Sequence, residues 1–111
     1  MVKRNEVDIK ETWKLEDLFE FAKLKLKSNR SLFMINRCER LVDLLSIARK
    51  YNMEAKRIRF VQSRIDDKPN LVMIQFVKNQ KPFLTFEKNL IIYNDEDYTE
   101  EVMNIYGITK V

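Results

Sequence analysis

The sequence predicts an α/β fold with a mixed sheet, running helix, strand, helix, strand hairpin and then a short C-terminal helix. Three observations predict it. Apolar residues recur at helical spacing in two segments, Leu15, Leu18, Phe19, Ala22, Leu26 and then Leu41, Leu44, Leu45, Ala48. Short apolar runs of strand length stand at Ser31 to Ile35 and Leu71 to Val77. From Lys56 to Gln62 basic and apolar residues alternate, the period of a strand with one wet face.

Taken in order, the first pattern predicts an amphipathic helix from Trp13 to Lys27 with Thr12 as its cap. Ser28-Asn29-Arg30 is a polar turn before the buried strand at Ser31 to Ile35. A second helix is expected from Cys38 to Tyr51, with Asn52 able to take a left-handed position at its end. The strand Lys56–Gln62 carries Arg57 and Arg59 on its wet face. Asp66 to Asn70 is a turn by composition, so this strand and the apolar Leu71–Val77 form an antiparallel hairpin. Asn79 to Pro82 breaks the pattern, and Phe83 to Glu87 and Leu90 to Tyr93 are short extended pieces before the acidic turn Asn94 to Asp97. Thr99 caps a last helix that Gly107 ends. Pattern alone leaves two architectures open: the closing portion of a doubly wound sheet whose last strand inserts antiparallel, and a ferredoxin-like or other small α+β domain.

Composition excludes much chemistry. A chain of 111 residues fits a single domain, 1–111. It contains no histidine, which rules out imidazole acid/base catalysis, Ser-His-Asp and Cys-His nucleophiles and histidine-bound zinc. Cys38 is the only cysteine and is read as an inert thiol without a base or resolving partner. Gly107 is the only glycine, so the chain encodes no glycine-rich phosphate or nucleoside loop. No apolar run is long enough to span a bilayer, and the charged start lacks the apolar core of a secretory signal; a cytoplasmic protein with no membrane partner is expected. The formal charge of +4 permits an anionic partner. The acidic pairs and runs, Asp66-Asp67 and Asp95-Glu96-Asp97, read as turn formers, and no metal site is expected.

Several ordered blocks resemble one family. Arg37-Cys38-Glu39-Arg40-Leu41-Val42-Asp43 is similar to a His-Arg-Pro-Glu-Arg-Leu-x-Asp stretch, in which Asn36 stands at the histidine and Cys38 at the proline. Tyr51 to Val61 is similar to Tyr-x-Leu-Glu-Pro-Lys-Arg-Ile-Arg-Phe-Val, and Asn70 to Ile74 to the strand that follows. Ile92-Tyr93-Asn94, Tyr98 to Val102 and Ile105-Tyr106-Gly107 resemble its closing segment. These blocks belong to the bacterial tRNA(Val) adenine-N6 methyltransferases, class I S-adenosylmethionine-dependent enzymes, and the likeness extends from about Glu6 to Gly107 along the family's C-terminal half. It implies a partial Rossmann-like methyltransferase sheet. Two turns depart from it: Leu26 to Arg30 stands at a Leu-Lys-Pro-Gly-Gly, and Asn79 to Phe83 at a Gly-Gly-Lys-Pro-Gly. Loss of glycine there predicts turns of a different backbone shape.

The resemblance also implies what this chain lacks. The family's glycine-rich cofactor loop, the acidic residue that holds the ribose and the Asn-Pro-Pro-Tyr motif that grips the adenine have no counterpart here, so no catalytic or cofactor-binding residue is assigned. The chain is therefore expected to be a C-terminal methyltransferase fragment, inactive alone and binding no S-adenosylmethionine by itself; the alternative is a non-catalytic RNA-binding or protein-interaction module. Arg37, Arg40, Lys56, Arg57, Arg59 and Arg64 are the candidate contacts for tRNA phosphates, against the plainer reading of a solvated basic surface. A complementary N-terminal methyltransferase chain is a second expected partner. Truncation exposes the strand at Ser31 to Ile35, which predicts a homo-oligomer with Leu32, Phe33 and Met34 at or near the contact, unless Phe83 to Tyr93 covers that edge from within.

Overall fold

A computed structural model describes residues 14–107. Thr12 and Trp13, the expected cap and first residue of the first helix, lie outside them. Helix α1 spans Leu15–Lys25, its entry held by the Asp17 carboxylate accepting the Lys14 backbone N–H at 3.1 Å. It ends two residues before the expected Lys27, where Leu26 turns extended. Strand β1 follows at Ser31–Arg37. The expected second helix divides: Cys38–Arg40 forms a 3-10 turn, and helix α2 spans Leu41–Lys50. Asn52 sits at φ 61°, the left-handed position expected of it.

Strands β2 (Met53–Gln62) and β3 (Leu71–Lys78) pair antiparallel, as the hairpin pattern predicts. The register shifts by one residue between Ala55 and Arg57, so Lys56 stands at a bulge. Strand β1 also pairs antiparallel with β3, from Ser31 opposite Val77 to Arg37 opposite Leu71. The order is β1-β3-β2, with β3 running against two strands that are parallel to each other. The short strands β4 (Thr85–Phe86) and β5 (Leu90–Ile91) pair in parallel with β2 on its far side. The segment from Phe83 to Tyr93 therefore covers the β2 edge and leaves the β1 edge open among the described residues. The acidic turn closes a two-residue hairpin, β6 (Tyr93–Asn94) with β7 (Asp97–Tyr98).

One face of the sheet carries α1 and α2. Phe19 and Leu44 from the helices meet Ile58, Val72, Ile74 and Phe76 from the strands, all essentially without solvent contact. Each such side chain contributes about 1.5–3 kcal/mol on burial. Among the described residues the opposite face is covered only at one end, where helix α3 (Glu100–Tyr106) places Val102 against Val61 and Leu90. Thr99 caps α3 by accepting the Val102 N–H at 3.4 Å, and Gly107 ends it at φ 71°, both as the sequence predicts. No helix among the described residues is long and apolar enough to cross a membrane.

The turns that lack glycine keep left-handed backbone nonetheless, which corrects the expectation of altered shapes. Asn29 stands at φ 68°, Asn79 at φ 58° and Phe83 at φ 101°. Asparagine tolerates this region because its short amide bonds locally; phenylalanine does not, and Phe83 holds a strained conformation.

Candidate functional site

The uncovered face is built by alternation along three strands. Phe33 and Ile35 of β1 lie opposite Gln75 and Met73 of β3, which lie opposite Arg57 and Arg59 of β2. Period-two geometry sends all six to the side away from α1 and α2. The result is a groove with an apolar floor, in which Phe33 is 70% and Ile35 58% exposed. Leu32 and Met34, expected with Phe33 at an oligomer contact, point the other way and pack partly buried beside the main core. Ile35, which the sequence reading passed over, is the residue that shares a face with Phe33.

The six candidate RNA contacts do not form one surface. Arg37 and Arg40 sit at the carboxyl end of β1, where the Arg37 Nε donates to Glu39 Oε1 at 3.3 Å. Arg57 and Arg59 line the groove, and both are neutralised. The Arg57 Nε donates to Glu87 Oε2 at 2.6 Å, while Arg59 donates to the Lys88 carbonyl at 2.9 Å and pairs with Glu101. Arg64 lies beyond the end of β2, donating to the Asp95 carbonyl at 2.6 Å and resting 5.3 Å from the centre of the Tyr93 ring. Lys56, at the bulge, points to the opposite end of the sheet, where its Nζ donates to the carbonyls of Lys81 at 2.9 Å and Pro82 at 3.3 Å.

Gln62 is a buried polar residue that the sequence reading did not single out. The two N–H donors of its Nε2 are shared among the carbonyls of Arg64, Ile65 and Asp67 at 2.9 to 3.1 Å, and its Oε1 accepts from Asn89 Nδ2 at 2.9 Å. These bonds satisfy it and fold the loop after β2 against the strand. Burial first, and the Glu39 charge second, push the Cys38 thiol above its ordinary value. That direction suits an unreactive thiol. Among the described residues no group of three or more histidine, cysteine or carboxylate side chains is placed to hold a metal ion.

No family model and no curated protein matches the chain. A solved structure does, the crystal structure of a predicted O-methyltransferase, protein Atu636 from Agrobacterium tumefaciens, with a TM-score of 0.76 over 84% of this chain at 18% identity. This chain covers 45% of that protein, under half its length. At such identity the likeness shows the fold alone. The protein has a methyltransferase-like α/β fold.

Proposed function

We propose that this chain is the sheet-closing, C-terminal part of a tRNA adenine-N6 methyltransferase-like protein, and that S-adenosylmethionine binding and methyl transfer need residues it does not itself contain. The observation that carries this reading is the open side of β1. The strand ends the sheet with its outer backbone groups unpaired among the described residues, and Phe33 and Ile35 stand beside it on a bare face. A natural sheet seldom leaves an apolar strand so exposed, because the edge templates pairing with any available chain. A complementary N-terminal methyltransferase part, pairing its own strand with β1 and laying a helix over Phe33, Ile35 and Met73, satisfies both features at once. Transfer to an exocyclic amine also requires the amine held in line with the sulfonium methyl. The groove offers two arginines already paired with carboxylates and no loop for a nucleoside cofactor.

Titration calorimetry with S-adenosylmethionine tests the reading. The isolated chain is expected to give no heat of binding, and a mixture with the N-terminal half of a tRNA adenine-N6 methyltransferase is expected to form a stable complex. A micromolar dissociation constant for the cofactor with this chain alone overturns the proposal.

A further inference from the structure

Two turns meet at the end of the sheet where β1 and β2 begin and β3 ends. The turn at 27–30 is joined by backbone bonds to Lys78, the last residue of β3 and the start of the turn at 79–83, Asn29 N–H to the Lys78 carbonyl at 3.1 Å and Lys78 N–H to the Arg30 carbonyl at 3.1 Å. Side chains join them further: Asn79 Nδ2 donates to Ser28 Oγ at 2.8 Å and Gln80 Nε2 to Asn29 Oδ1. The two turns thus form one ordered surface.

That surface is basic, and Glu54, the carboxylate that lines the pocket beside Phe83, is already paired with Arg49. Lys27, Arg30 and Lys81 are exposed, and among the described residues none of them bonds to a carboxylate. Lys56 and Lys78 are anchored through carbonyls alone, Lys56 on Lys81 and Pro82, Lys78 on Lys23 and Leu26. An ammonium group has three donors, so each of these two keeps one donor and its full charge for a further acceptor. Beside them Phe83 is 84% exposed and held at φ 101°. A strained backbone that presents a solvent-facing aromatic ring invites a functional reading.

We propose that this end of the sheet docks RNA, with Lys27, Arg30, Lys56, Lys78 and Lys81 on phosphates and one unpaired base stacked on Phe83. Exposed aromatic rings set among cations are the means by which proteins hold single-stranded nucleic acid. RNA fits better than an anionic membrane, because Phe83 is flanked by Asn79 and Gln80 and ringed by cations rather than by the broad apolar face that insertion needs. Choosing RNA over other polyanions rests on the tRNA-linked reading above. The location is separate from that reading's chemistry: ligands of doubly wound sheets gather at the carboxyl ends of parallel strands, and this surface lies at the opposite ends of β1 and β2.

Fluorescence anisotropy with a labelled, unmodified tRNA transcript tests the surface on the intact chain. Wild type is expected to bind with an affinity that falls steeply with salt, by a slope of about −3 in log–log terms for four or five phosphates. The triple variant K27A/R30A/K81A is expected to lose at least tenfold in affinity and flatten that slope. Phe83→Gly is expected to lose about tenfold with the slope unchanged, the mark of a lost stack rather than a lost charge. Because glycine relieves the backbone at this position, misfolding does not explain that loss. Unchanged affinity in both variants, or binding to phosphatidylserine vesicles but to no RNA, overturns the proposal. Neither result bears on cofactor binding, so the methyltransferase reading stands or falls on the calorimetry.

Discussion

Phe19 of α1 and Phe76 of β3 meet edge to face, their ring centres 5.1 Å apart and their planes at 83°. The contact joins the first described helix to the last long strand, across β1 in sequence, and both rings are fully buried. Edge-to-face pairs add about 0.5–1.5 kcal/mol to the area they bury.

Truncating either ring removes that pair and opens a cavity against Leu44 and Ile74. Phe19→Ala is expected to cost about 3–5 kcal/mol, a large share of what a domain of this size possesses. Urea denaturation followed by circular dichroism measures it. A loss under 1 kcal/mol would mean that α1 is not docked as described.

Phe83 supplies a prediction of opposite sign. Its left-handed backbone costs about 1–3 kcal/mol for a bulky residue, and the ring recovers little at 84% exposure. Phe83→Gly should therefore raise stability by about 1 kcal/mol after the flexibility of glycine in the unfolded chain is counted. Asn79→Ala, at φ 58°, should lower it by about 1 kcal/mol. Urea midpoints of the two variants that move in the same direction would contradict this account.

The thiol of Cys38 carries a pH dependence. Burial and the Glu39 charge raise its pKa in the folded chain, so the neutral form is favoured there. Its contribution to stability is complete below the unfolded thiol value and is lost as pH rises through the folded one. Alkylation by iodoacetamide at pH 7.5 should thus run slower on the folded chain than on a free cysteine, and Glu39→Gln should speed it. Folded-state labelling as fast as that of the urea-unfolded chain would refute the assignment.

Self-association should follow the bare face. In the absence of a complementary chain, two copies are expected to pair through β1 and bury Phe33 and Ile35. Replacing both with lysine should shift sedimentation velocity toward monomer while the monomer stays folded, since neither side chain is in the main core. A wild-type monomer at micromolar concentration removes the basis for this pairing.

The sequence by itself determined the elements of this protein. Helical spacing at Leu15 to Leu26 and Leu41 to Ala48, the alternation through β2, the hairpin at Asp66 to Asn70, and the Thr99 and Gly107 caps are local signals, because each depends on neighbours within a few residues. The absence of histidine and of a glycine-rich loop likewise needs no fold to be read. Tertiary structure decided what lies next to what. Arg57 and Arg59 read as free cations until Glu87 and Glu101, 30 and 42 positions away, reach them. Phe33 and Leu32 are equally apolar in sequence, and only the pairing of β1 with β3 sends one to a bare face and the other to the core. The basic end was illegible for the same reason. Its lysines come from three separate segments, and the meeting of two turns 51 residues apart, Ser28 with Asn79, is what assembles them.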